Sequence, residues 1–466
     1  MENKQTKLTF YRGLNTIGGV IMSLEYENER VLLELGMACE PDHNYFTANL
    51  NQHPGEVVHA GLKLKYLPAI PGLYSKAALK DFPLLSKEAD SRHTSVFISH
   101  LHLDHMALIG LADNNVDIYL SNPAARIFRS LQIVEPIAQL RNVPYKNLTT
   151  KPFHLGKITV TPFLLNTEGY QDYSFYVETP DLKLHYTGDL ALHHYEADLT
   201  FNEMEVIKNK QPDILVVETT NLMDGTLKQI YGKIPSTISA DKNLPSGFKN
   251  ETMADKYSAS LIAETSGAQY LNFYRRELAK YPYFIAWANK AKRELVFEPQ
   301  SAYLYHSFFN LACNYYLPDN DYYNDHASWT NKLGPCKLIT KDELKEHPDK
   351  YLIENSYPNL RELFNLPKGT YFHYDGEPIG AFDSRFQPFK DFVEQQGFTY
   401  RELRDPAYLP HVYPNQLQYY VDEIGAKLTI PTHGFNPERL VPNKGKQFLP
   451  LSEVTYVYEE GELRPL

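Results

Sequence analysis

Residues 95–105 read S-V-F-I-S-H-L-H-L-D-H. The β-branched and aromatic run predicts a strand. It ends in four candidate metal ligands: His100, His102, Asp104 and His105. Alternation along an extended chain puts His100 and His102 on one side, and Asp104 and His105 turn away from it. Two imidazoles facing one point, with a carboxylate and an imidazole facing a second, are the layout a pair of hydrolytic metals needs. The competing reading is a chance cluster of solvated histidines. The chain has only 17 histidines, and three fall within six positions at the end of an apolar strand, which favours metal.

The H-x-H-x-D-H pattern resembles the signature of the metallo-β-lactamase fold. The resemblance implies an α/β chain built as an αββα sandwich, with further ligands downstream. K-L-H-Y-T-G-D-L supplies Asp189 as the implied bridging carboxylate, and A-K-L-T-I-P-T-H-G-F-N-P-E supplies His433. T-G-D alone reads as an ordinary turn; in this order behind the first motif it carries more. Between the two, where the family has a histidine, this chain has Thr167, and a threonine hydroxyl is a poor zinc ligand. One metal would keep His100, His102 and Asp189, and three protein ligands suffice for a catalytic zinc. A second would have Asp104, His105, Asp189 and His433. Whether one or two ions bind stays open. Glu168, His193 and His194 are nearby substitutes, but simple exposure after the turn is the expectation for the two histidines. Glu34, in L-E-L-G, stands where the family has an aspartate and is implied to support the ligands. Zinc is the default for histidine and carboxylate ligands, and manganese tolerates the same set.

At 466 residues the chain has room for two or three domains, and 43% hydrophobic residues imply packed cores. No apolar run approaches the length of a membrane span, and the start, M-E-N-K-Q-T-K-L-T-F, lacks a signal-peptide core. No membrane partner is expected. Cys39, Cys313 and Cys336 look like neither a disulfide framework nor a zinc knuckle and fit a reducing cytoplasm. A net charge of −11 argues against a broad basic face, although a few local cations and a metal pair could still hold a phosphate chain.

K-L-T-F-Y-R-G, G-G-V-I-M-S-L-E-Y and R-V-L-L-E-L-G predict three opening strands. Residues 37–85 carry five prolines and read as a long loop or insertion. After the metal motif, V-D-I-Y-L-S predicts a strand and N-P-A-A-R-I-F-R-S-L a helix. K-I-T-V-T-P-F-L-L, Y-S-F-Y-V-E-T, L-K-L-H-Y-T and D-I-L-V-V-E all read as strands. The middle of the chain has a βαβ rhythm: a helix in A-D-K-Y-S-A-S-L-I-A-E-T, a strand in A-Q-Y-L-N-F-Y, a long helix in R-R-E-L-A-K-Y-P-Y-F-I-A-W-A-N-K-A and a strand in R-E-L-V-F-E-P. A small parallel sheet inserted into the first domain is the expectation.

An inserted α/β domain between T-G-D and the late histidine resembles the β-CASP branch of the superfamily, of which ribonuclease J is a member. D-I-L-V-V-E-T-T-N, L-P-H-V-Y-P-N-Q-L and I-P-T-H-G are similar to its motifs A, B and C, giving Glu218, His411 and His433. The implied division is a metallo-β-lactamase domain over residues 1–221, a β-CASP-like insertion over 222–400 and a return segment over 401–466. The branch's S-G-H-A has become Leu409-Pro410-His411-Val412, which removes the small residues flanking the histidine. Too few residues follow His433 for the extra C-terminal domain of typical ribonuclease J, so its assembly is not implied and a homo-oligomer stays open.

The resemblance implies a metal-dependent ribonuclease with single-stranded RNA as partner. Asp104 and His411 would act at the reacting phosphodiester, and Glu218 would orient a histidine. A hydrolase of a small phosphodiester or other ester is the first alternative. A catalytically weak relative that binds RNA or protein is the second. The tyrosines and phenylalanines of the middle segment, such as Tyr303, Tyr305 and Tyr316, read as packing before base stacking. Arg275, Arg276, Lys280, Lys290, Lys292 and Arg293 are the candidate phosphate contacts.

Overall fold

The computed structural model describes residues 5–38, 56–134, 144–165, 170–319, 326–381 and 383–466. Two compact units emerge: Met1–Ala125, Ile137–Phe248 and Leu409–Leu466 form one, and Arg126–Pro136 with Lys249–Tyr408 form the other.

The first unit holds two mixed sheets. One has eight strands, in the order Glu462–Pro465, Thr455–Glu459, Lys7–Arg12, Ile21–Tyr26, Glu29–Leu33, His93–Phe97, Asp117–Leu120 and Tyr145–Asn147. The other has seven: Lys446–Gln447, Leu428–Thr432, Ile214–Glu218, Lys183–Tyr186, Asp172–Glu178, Ile158–Leu165 and Phe153–Leu155. Strand alternation sorts their side chains. Ile214 and Val216 join Leu8, Met22, Leu33, Phe97, Phe175 and Ile430 in a core shared by both sheets. Leu215 and Val217 point the other way, onto Met204 and Ile207 of the Ala197–Lys210 helix and Leu417, Tyr420 and Val421 of the Pro414–Ile424 helix. Strands buried on both faces read as unbroken apolar runs, as I-L-V-V does here. The opening strands and the strands after the metal motif form where the sequence predicts them. Within the segment expected to be a long loop or insertion, residues 56–85 contain short helices at Val57–Lys63 and Lys76–Leu79. Residues 39–55 lie outside the described residues.

In the second unit seven strands form a sheet in which every described pairing is parallel. The helix predicted over R-R-E-L-A-K-Y-P-Y-F is shorter than expected. Its α-helical part is Tyr281–Lys290, after a 3-10 turn at Leu278–Lys280. Pro282 explains this: it lacks an N–H and suits only the first helical turn. The aromatic segment packs inward. Tyr316 is fully buried, and the Tyr281 ring stacks on Phe297 at 5.5 Å.

Candidate metal centre

In the first unit, parallel pairing sets which residues meet. Lys183–Tyr186, Ile214–Glu218 and Leu428–Thr432 are neighbours running the same way, so Asp189, Glu218 and His433 emerge at one edge. In the facing sheet, Glu29–Leu33 and His93–Phe97 are also parallel and release Glu34 and the histidine motif. The turn to Asp189 uses Gly188 at φ +60°, a left-handed conformation open to glycine without strain. The exit from the third strand lies against the metal motif: Leu35 N donates to His105 O, and a Cβ on Gly36 would lie 1.6 Å from Asp104 O.

Among the described residues, three sets of ligand atoms each gather within 4.8 Å: His100, His105 and Asp189; Asp104, His105 and His433; and Asp189, Glu218 and His411. Asp189 is common to two sets. Its Oδ1 lies 3.1 Å from His105 Nε2 and 3.6 Å from His433 Nε2, and its Oδ2 lies 3.5 Å from His100 Nε2. Asp104 Oδ2 is 3.1 Å from His433 Nε2. His102 lies outside these sets, with its ring 4.6 Å from that of His100. Thr167 and Glu168 fall outside the described residues.

Nearby groups aim the ligands. Glu34 is wholly buried, accepts from Ser99 N at 3.1 Å and lies 3.5 Å from His105 Nδ1, which turns the His105 Nε2 toward Asp189. Glu218 accepts from Leu190 N at 2.8 Å, from Thr220 N at 3.2 Å and from His411 Nδ1 at 3.0 Å. The Thr220 hydroxyl donates to His433 O at 3.0 Å and so can only accept from His433 Nδ1, at 2.8 Å. That fixes the proton on Nδ1 and leaves Nε2 facing the carboxylates. Sequence reasoning missed Thr220, although it lies in the T-T-N following Glu218.

His193 and His194 correct another expectation. They are buried, not exposed, and their Nε2 atoms each lie 2.7 Å from a carbonyl, that of Leu409 and that of Pro410. Both hold the stretch leading to His411, and neither joins a ligand set. Burial pushes the His193 imidazole down to about 3, helped by neighbouring His194.

The donor set fits a cation. Burial pushes His100 down to about 3, with His105 adding to the effect, so it presents a neutral ring. His100 Nε2 and Asp189 Oδ1 are buried and make no hydrogen bond. Burial opposes charge on Asp189, but the imidazoles of His105, His433, His411 and His100 outweigh it and hold the carboxyl well below its usual range. Burial likewise opposes charge on His105 and His433, and Asp189 with Asp104 pulls both upward. Their Nε2 atoms are nevertheless 3.2 Å apart, too close for a proton on each. A shared cation would satisfy both nitrogens and the carboxylates together.

Residues 68–231 match the family model described as "Beta-lactamase superfamily domain". The fold is that of the metallo-β-lactamases. The chain is similar to a solved structure described as a protein of unknown function from Enterococcus faecalis V583, with 22% identity, a TM-score of 0.74, 97% of this chain covered and 100% of that one. It also aligns with the metallo-beta-lactamase fold protein YhfI from Bacillus subtilis at 16% identity and a TM-score of 0.28, over 48% of this chain and 76% of that one. No curated protein matches.

Proposed function

We propose that the chain is a metal-dependent phosphodiester hydrolase of the ribonuclease J kind, acting on single-stranded RNA. The observation that supports this most is the convergence of Asp104, His105, Asp189 and His433, beside His100, in sets whose ligand atoms gather within 4.8 Å of one another, with His100 Nε2 and Asp189 Oδ1 buried without a hydrogen bond. His100, His102 and Asp189 would hold one ion, and Asp104, His105, Asp189 and His433 a second; zinc is favoured and manganese fits the same donors. Such a cation supplies Lewis acidity and lowers the pKa of water. Glu218 accepts from His411 Nδ1 and so orients the ring, whose Nε2 would donate to a phosphoryl oxygen or protonate the leaving oxygen. We read the second unit as a β-CASP-like insertion, in keeping with its parallel sheet and its place in sequence between Glu218 and His411.

The test is hydrolysis of end-labelled single-stranded RNA bearing a 5′-monophosphate, with zinc or manganese, beside Asp189→Ala. Metal-dependent cleavage that vanishes in the variant supports the reading, and the product ladder distinguishes trimming from internal cutting. No cleavage by folded, metal-loaded protein overturns the ribonuclease assignment.

A small phosphodiester or ester is the second reading, favoured by the fate of the basic residues. Lys280 Nζ lies 2.5 Å from Glu251, Arg275 pairs with Glu298 at 3.1 Å, and Arg293 donates to the carbonyls of Pro348, Tyr351 and Gly267. These cations serve their own unit's interior; Lys290 and Lys292 are exposed.

A further inference from the structure

Two of the three cysteines, far apart in sequence, meet at the end of the second unit's sheet. Asn314–Tyr315 and Lys337–Leu338 pair in parallel, with Asn314 opposite Lys337. Lys337 N donates to Cys313 O at 2.9 Å, so Cys313 and Cys336 are the next opposed positions on the two chains. Their sulfurs are 3.6 Å apart. Neighbouring strands lie about 4.7–4.9 Å apart, inside the roughly 4.4–6.8 Å that Cα atoms of a disulfide span. Lys337–Leu338 is the outer strand of this sheet. Both cysteines are half-buried, and Leu311, Ala312, Gly334 and Pro335 around them are exposed, so a small reagent can reach the pair.

We propose that Cys313 and Cys336 form a redox-active dithiol that a small-molecule disulfide, of the glutathione class, converts into an intramolecular disulfide. Thiolate is the attacking form. The Cys313 thiol donating to Cys336 holds the latter down to about 6, with burial opposing and His306 assisting. Hydrogen bonding to Cys336 pushes Cys313 up, so the pair divides into an attacking and a resolving sulfur. The Cys336 sulfur attacks one sulfur of the reagent, breaks its S–S bond and releases one thiolate, which takes a proton. Cys313 then loses its proton and attacks the Cys336 sulfur, displacing the second reagent thiol. The two protein thiols together lose two electrons and two protons, and the reagent disulfide is reduced to two thiols.

The experiment treats the folded full-length protein with oxidised glutathione, blocks remaining thiols with an alkylating agent and maps tryptic peptides without reduction. Cleavage after Arg293, Lys332 and Lys337 puts Cys313 on 294–332 and Cys336 on 333–337. The expected major species is those two peptides joined, returned to separate alkylated peptides by prior reduction, with Cys39 alkylated throughout. In Cys313→Ser, Cys336 should accumulate as a mixed disulfide with one glutathione, because the resolving thiol is gone. Recovery of both cysteines alkylated, of either linked to Cys39, or of separate glutathione adducts in the unmutated chain overturns the proposal.

Discussion

Replacing Thr220 with valine tests how the site aims its ligands. The change keeps the shape and removes one hydroxyl. That hydroxyl donates to His433 O at 3.0 Å and accepts from His433 Nδ1 at 2.8 Å, all in buried surroundings. His433 sits at φ +52°, unusual for a residue with a Cβ, and its ring is held at Nδ1 by this hydroxyl. Valine leaves a buried N–H without an acceptor, which costs about 1–3 kcal/mol. At ~1.4 kcal/mol per tenfold, that is about a 5- to 140-fold loss if His433 flips or shifts to escape it. Loss of an outer partner of a metal-binding histidine typically weakens affinity about 10–100-fold, the same range. The assay is zinc affinity by competition with a chromogenic chelator, with circular dichroism as the check on folding. Thr220→Ser should restore most of the affinity, since it keeps the hydroxyl. A folded Thr220→Val that binds zinc as tightly as the unmutated chain would refute the reasoning.

Gly36→Ala should disturb the metal motif from outside it, because its Cβ would meet Asp104 O at 1.6 Å; we expect a loss of about 1–3 kcal/mol in denaturant unfolding together with lowered metal content. Lys280→Met removes a cationic partner from buried Glu251 and Asp255, at 2.5 and 3.6 Å, and should cost about 3–5 kcal/mol, read as a fall in thermal midpoint. Glu354 is pushed up by burial and by the nearby Glu298 carboxylate, against the pull of Arg275. Its folded value lies above the ordinary 4.5, so its contribution to stability is fully present below 4.5 and is lost as pH rises through the raised value. Glu354→Gln should therefore flatten that decline in melting experiments across the pH range, and an unchanged slope would remove this assignment.

The motif's ligand types and the apolar runs behind them were legible because strand period and metal chemistry are both local. H-L-H-L-D-H sits at a strand end with two-residue spacing, so the sequence alone places it at an edge. That Asp189, Glu218 and His433 emerge together from the facing sheet depends on three strands pairing in parallel across more than two hundred residues; only the family resemblance suggested it. Thr220 was missed, and His193 and His194 were misread, for a common reason. Each works through a distant partner, the His433 imidazole or the carbonyls at 409 and 410, and no local pattern names a partner so far along the chain. The same holds for Arg275 and Lys280, whose charges resemble a phosphate-binding patch until Glu298 and Glu251 appear beside them. Pro282 was visible in the sequence, and its effect on the helix start follows from its missing N–H.

The most direct test of a metal-dependent site is elemental analysis of the purified protein after zinc loading and desalting, for the unmutated chain and for Asp189→Ala. Asp189 lies within reach of His100, His105 and His433 together, so its removal should abolish stoichiometric zinc while circular dichroism shows the fold retained. Equal zinc in both proteins, or none in a folded unmutated chain, would contradict the account.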